Sequence, residues 1–157
     1  MTDCPLCAKL ARLADLPAEE MVWQFPHSVA LLGPWQRFTG CCILVSRTHA
    51  SELSRLDEPD RRSYLDEMCL LARAIETAFA PRKMNYELLG NQVPHLHWHL
   101  FPRPQDDDDV LRPVWFAVER AERDDAARSR LQTGPWPRAE IAARLREQVQ
   151  RLTGSSR

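Results

Sequence analysis

The sequence predicts an α+β protein: an antiparallel β-sheet of about five strands with one long helix packed on it, plus a C-terminal helix. Three observations lead there. Short β-prone runs recur at Met21–Phe25, Ser28–Leu32, Cys41–Ser46 and Met84–Leu89, and a fifth follows directly in Asn91–Arg103. Between the third and fourth runs, Met68, Leu71, Ala72, Ile75 and Phe79 fall at helical spacing, with Asp60, Arg61, Arg62, Glu67 and Arg73 off that stripe. Near the end, Ile141, Leu145, Val149 and Leu152 mark an amphipathic helix over Pro137–Leu152.

In chain order, Cys4-Pro5-Leu6-Cys7 opens a short helical stretch over Ala8–Leu13. The first two β runs flank Pro26-His27 and read as a hairpin. A loop from Gly33 to Gly40, carrying Pro34, Trp35, Gln36, Arg37 and Phe38, leads into the third strand, and the helix runs over Pro59–Phe79. After the fifth strand, Gln105–Asp109 is a charge run that reads as a solvated loop. Pro113–Phe116 is apolar again and is placed near the site or at a subunit contact. The stretch up to Pro137 reads as irregular, and Gly154–Arg157 as a frayed tail.

The chemistry concentrates in Pro94-His95-Leu96-His97-Trp98-His99-Leu100-Phe101-Pro102, which holds three of the five histidines. Alternation with period two puts His95, His97 and His99 on one strand face, and Leu96, Trp98 and Leu100 on the other, against a helix. Three adjacent imidazoles either bind a metal or provide a nucleophile flanked by proton donors.

Composition sets bounds. A chain of 157 residues, 44% hydrophobic, with formal net charge −1, buries enough surface to fold as one globular domain. The charge balance gives no reason to expect nucleic acid as a partner, so phosphate recognition must be local. No apolar run is long enough to span a bilayer, and Met1–Cys4 shows no basic-then-apolar leader. A cytoplasmic protein without a membrane partner is expected. Five cysteines in a reducing compartment read as thiols or metal ligands rather than bridges. Cys41 and Cys42, adjacent in one strand, face opposite ways, with core packing explaining at least one.

His95-Leu-His97-Trp-His99-Leu-Phe101 resembles the signature of the histidine triad (HIT) superfamily. Leu89–Pro94 is similar to the glycine-polar segment before that triad, and Gly40–His49 to the family's Gly-x-x-Leu-Val-x-x-x-x-His strand and turn. The resemblance covers roughly residues 1–116, a HIT-like catalytic domain with its N-terminal Cys-x-x-Cys knuckle. Residues 117–157 are a C-terminal extension whose amphipathic helix docks on the same domain.

The resemblance implies a HIT-like fold, a homodimer, and a nucleotide hydrolase or nucleotidyl transferase acting at the α-phosphate of nucleoside conjugates. The diadenosine polyphosphate hydrolase-like, bacterial branch is the closest in pattern. The substrate would be a small-molecule nucleotide, a dinucleoside polyphosphate or a nucleoside phosphoramidate. His97 matches the nucleophile, His99 the histidine that touches the phosphate or bridging oxygen, and His95 the one supporting the site from behind. A neutral imidazole attacks phosphorus without adding negative charge and leaves readily from the phosphoramidate it forms. Asn91 and Gln92 can donate to phosphate oxygens, Arg103 can balance phosphate charge, and Gln36 stands as the substitute for the family's substrate-holding asparagine. Trp35 and Phe38 read equally as base-stacking or packing residues. The hydroxyl often found shortly before the triad is missing, since Asn91-Gln92 stands in its place, which leaves the leaving group open.

Some HIT-like proteins and related nucleotidyl transferases with a similar Cys-x-x-Cys knuckle bind zinc through that pair, the histidine after the third strand and the first triad histidine, and the resemblance implies a structural zinc here. Cys4, Cys7, His49 and His95 match, and a closed four-ligand site leaves no position for activated water. A redox pair, or a thiol pair without metal, are the alternatives for Cys4 and Cys7. No organic cofactor is implied. Two other functions compete with the covalent one: a metal-dependent hydrolase using the three histidines as ligands, and a slow-turnover nucleotide-binding regulatory protein.

Overall fold

A computed structural model describes residues 3–154. Five antiparallel strands, β1 (Met21–Gln24), β2 (Ser28–Leu32), β3 (Cys42–Ser46), β4 (Lys83–Glu87) and β5 (His97–Arg103), form one sheet in the order β1-β2-β3-β5-β4. Five helices surround it: α1 (Pro5–Leu10), α2 (Glu58–Phe79), α3 (Trp115–Arg123), α4 (Asp125–Gln132) and α5 (Arg138–Gly154). The α+β architecture predicted from sequence is thus observed. The tail beyond Gly154, and the Met1-Thr2 start of the segment read for a leader, lie outside the described residues.

Period-two burial divides the sheet. Ala30, Leu32, Cys42, Leu44 and Leu100 face α2 and α5 and form the main core with Leu71, Ile75, Ile141, Leu145 and Val149. Each of those aliphatic side chains on α5 is fully buried and contributes about 1.5–3 kcal/mol. Tyr64 of α2 donates its hydroxyl to the Leu44 carbonyl across this interface (2.9 Å). Asp57 caps α2 by accepting from Asp60 N–H, and Ala80 ends it in the left-handed region at φ 44°.

The opposite face carries Val29, Leu31, Val45 and Ile43, covered in part by Leu6, Leu10, Leu13 and Leu16 at the N-terminal end. Pro5 sits in the first turn of α1, where its missing N–H costs nothing, so α1 begins and ends earlier than the Ala8–Leu13 expected.

The stretch expected to be irregular is helical, as α3 and α4. These helices are only 9 and 8 residues long and bury few side chains, chiefly Val118, Ala121, Ala127 and Leu131, so their apolar stripes are short. Asp124 ends one and caps the other, accepting from Ala126 and Ala127 N–H. With Phe38, Cys41 and Phe101 they build a second cluster at the far end of the sheet. Cys41 lies in this cluster and Cys42 in the main core, and burial pushes both thiols up from their ordinary range.

The Asp106–Asp109 run is not simply solvated. Asp107 is nearly buried against Arg103, Asp106 pairs with Arg37, and Asp109 pairs with Arg112 and Arg120. Three of the four carboxylates are thus paired, and Asp107 is drawn in because the buried Arg103 needs a counter-charge there.

Candidate active site and metal cluster

The strand that carries the histidines starts later than the motif suggests. β5 begins at His97, because Pro94 has no N–H for a ladder and His95 N–H closes a turn on Val93 O (2.8 Å). It then continues through Pro102, which is tolerated because pairing with β3 stops at Leu100. Register places Val45 opposite His97 and Ile43 opposite His99, while Leu31 faces Ile43, Met21 faces Leu31, and Glu87 faces His99. Directly opposed residues share a face, so Met21, Leu31, Ile43, His99 and Glu87 form one row across all five strands.

His97 is half-buried, and its Nδ1 lies 2.6 Å from the main-chain oxygen of His95. A carbonyl only accepts, so Nδ1 carries the proton and Nε2 the lone pair. The His97 and His99 rings meet edge-on with centroids 4.9 Å apart. His99 stacks on Phe101 (5.8 Å, 7° between planes) and meets the Trp115 ring edge-on at 5.5 Å. Burial first, and the neighbouring His97 second, lower the His99 pKa to about 4. His99 is therefore neutral at pH 7, with one N–H to offer.

His95 is fully buried and both its ring nitrogens are committed. Nε2–H donates to Ser46 O (2.8 Å), which leaves the Nδ1 lone pair facing Cys4 Sγ (3.4 Å), Cys7 Sγ (3.5 Å) and His49 Nδ1 (3.2 Å). Cys7 Sγ lies 3.3 Å from His49 Nδ1. The four ligand atoms all fall within 4.8 Å of one another. Tetrahedral zinc, with Zn–N near 2.0 Å and Zn–S near 2.3 Å, spaces its ligand atoms about 3.3–3.6 Å apart on each N–N or N–S edge. The donor set and spacing fit zinc, and the Ser46 carbonyl orients the His95 ligand nitrogen. With His95 committed here, the three triad histidines do not converge as one ligand set.

Other expected site residues separate into those near the histidines and those spent elsewhere. Asn91 and Gln92 are exposed on the β4–β5 loop, whose Leu88–Gly90 portion lines a small cavity with His95 and His97. Gln36 is not available to a substrate. It is buried, donates Nε2–H to Gly33 O and Cys41 O, and accepts Gly40 N–H, closing the Gly33–Gly40 loop from inside. Arg103 is likewise buried, and its donors go to Asp107, Asn85, Asp109 O and Arg112 O. An expectation drawn from adjacency to the triad misses that Arg103 follows the buried Phe101 along the same face. Phe38 packs edge-on against Phe101 (5.7 Å), so it is a packing residue, and Trp35 lies against the same cluster.

Two contributors were not singled out from sequence. Glu87 faces His99 from β4, and its carboxylate accepts the Trp115 indole N–H. No local pattern marks Glu87, whereas the apolar Pro113–Phe116 block does point to Trp115. On the other side of His99, Leu31, Ile43, Pro34 and Leu6 line an open cavity of about 550 Å³, with Lys9 and Glu20 ion-paired at its rim.

The comparisons agree with this geometry. The chain is similar to the "Protein hit" of Bacillus subtilis, 27% identical over 118 residues that cover 72% of this chain and 79% of that one. A histidine triad protein of Sinorhizobium meliloti shares 25% identity, with a TM-score of 0.64 over 94% of this chain and 98% of its own. A zinc-bound histidine triad family protein of Mycobacterium smegmatis, 19% identical, shares the fold with a TM-score of 0.67 over 98% of both chains. The HIT domain family matches residues 12–106, from the end of α1 through the triad strand to the start of the acidic run, and on that match the chain belongs to the HIT domain family.

Proposed function

We propose that this chain is a nucleotide hydrolase or nucleotidyl transferase that cleaves nucleoside phosphate conjugates at the α-phosphate through a covalent nucleotidyl-His97 intermediate. The observation that carries the reading is the His97 Nδ1–His95 O hydrogen bond, which fixes the tautomer that exposes an Nε2 lone pair. Nε2 attacks phosphorus, the bond to the leaving group breaks with its electron pair on that group, and the nucleotide is held on His97. Water or another acceptor then attacks phosphorus from the vacated side, and His97 departs as a neutral imidazole. Neutral His99 donates its N–H to a phosphoryl or bridging oxygen, and Asn91 and Gln92 supply amide donors from the loop. The cavity beside Ile43, lined by Leu6, Leu31 and Pro34 together with Lys9, Glu20, Gln132 and Arg138, takes the nucleoside.

Cys4, Cys7, His49 and His95 would hold a structural zinc, which supplies a cross-link and no reacting group. The Mycobacterium smegmatis protein of the same fold is described as zinc-bound. The functional unit is a homodimer built on the open edge of β4, where Tyr86, Leu111 and Phe116 are exposed. No helix among the described residues is long and apolar enough to cross a membrane, and the unbridged cysteines suit the cytoplasm.

Intact-protein mass spectrometry after brief incubation with an adenosine phosphoramidate, and separately with diadenosine tetraphosphate, tests the reading. A nucleotidyl adduct on the parent that is absent from His97→Ala is expected. Turnover without any adduct, abolished by chelation, would overturn it.

A further inference from the structure

Among the described residues, Glu87 is the one carboxylate placed opposite a triad histidine across the sheet, and nothing in the covalent mechanism above uses it. It is half-buried, and Trp115 N–H holds its carboxylate while the Trp115 ring packs edge-on against His99. The site is therefore asymmetric about His99. Toward β2 and β3 lies a mixed cavity lined by Leu31 and Ile43, with Lys9, Glu20 and Arg138 also on its wall. Toward β4 lies a carboxylate with an aromatic ring.

Of the cations on the β4 side, Lys83 lies exposed at the opposite end of β4, across from Arg103 rather than His99. Arg103 is ion-paired to Asp107, and Arg112 and Arg120 to Asp109. A polyphosphate leaving there would bring several negative charges toward Glu87 with no free arginine among these three to receive it.

Resting on the nucleotidyl-transfer reading, we propose that Glu87 is a specificity-determining residue that sets the leaving group: it repels a polyphosphate and accommodates an amine. The electron balance of the two departures differs accordingly. When His97 Nε2 displaces a polyphosphate, the P–O bond breaks and the group leaves as an anion, needing no proton. When it displaces an amine, nitrogen first takes a proton from water and becomes ammonium-like, and the P–N bond then breaks with its pair on nitrogen, so the group leaves as a neutral amine. A carboxylate beside that nitrogen stabilises the second departure and opposes the first. Burial raises the Glu87 pKa, while the Trp115 hydrogen bond and the Arg103 charge pull it down.

The test compares kcat/KM for an adenosine phosphoramidate and for diadenosine tetraphosphate, on the parent and on Glu87→Gln. Glutamine keeps an oxygen to accept the Trp115 N–H, so the tether survives and only the charge is lost. The parent is expected to prefer the phosphoramidate, and Glu87→Gln to narrow that preference about tenfold, chiefly by faster cleavage of the tetraphosphate. A folded variant with an unchanged ratio would overturn the assignment. So would a parent that prefers the tetraphosphate, a result that needs no variant. If neither substrate leaves an adduct on His97, the covalent reading itself fails; adducts with an indifferent Glu87 sink this inference alone.

Discussion

The Nδ1–H of His97 donates to the main-chain oxygen of His95 at 2.6 Å, while the ring of that same His95 closes the Cys4–Cys7–His49 cluster. His95 thus ties the orientation of the His97 ring to the Cys4–Cys7–His49 cluster, and the two share one backbone position.

Zinc content and stability should therefore move together. One zinc per chain is expected by elemental analysis, falling to background in Cys4→Ser. Losing a closed structural site should lower Tm by about 10 °C, the shift that roughly 3 kcal/mol produces in a domain of this size. A metal-free parent with an unaltered melt would remove zinc from the account.

The depressed pKa of His99 makes a pH prediction. Its folded value of about 4 lies below the ordinary 6.5, so between those pH values the unfolded chain binds the extra proton. Stability contributed by this group is full above pH 6.5 and is lost as pH falls toward 4, on the order of 3 kcal/mol at most. Histidine NMR titration should show one ring titrating near pH 4, absent from His99→Gln. A His99 signal titrating near 6.5 would contradict the burial argument.

Arg103→Ala should destabilise strongly. It leaves the nearly buried Asp107 carboxylate without its partner and frees Asp109 O and Arg112 O, a loss of about 3–5 kcal/mol by urea denaturation. Because the same contacts hold the segment before α3, Trp115 should loosen as well, visible as a change in its fluorescence. A loss under 1 kcal/mol would mean the clamp is dispensable.

Charge on the open edge of β4 should disperse a dimer built there. Tyr86→Lys with Leu111→Glu is expected to weaken association at least about tenfold, and light scattering after gel filtration reads the mass directly. An undiminished dimer would move the interface elsewhere.

Much of this was legible in the sequence where periodicity is strong. Strands β1–β4 and helix α2 follow from apolar runs and a sustained stripe, and the alternation at His95–Phe101 correctly separates the histidine face from the face packed on α2. The short helices α3 and α4 were not legible, because their stripes span only a couple of turns and rely on small alanines such as Ala121 and Ala127. Gln36 and Arg103 show the second limit. Sequence reveals that a polar side chain is near the site, not that three backbone groups or a buried aspartate have already claimed it. Glu87 shows the third: its position beside His99 is created by strand register, a long-range property.

The two-sided character of β5 also governs which length changes the chain can survive. An inserted or deleted residue between His97 and Leu100 would turn Trp98 and Leu100 outward and drive imidazoles into the packing against α2. Folding and chemistry would fail in the same molecule. The loop before β5 can change length without that double failure, so variation among functional descendants of this chain should accumulate there as indels, while the strand itself changes only by substitution.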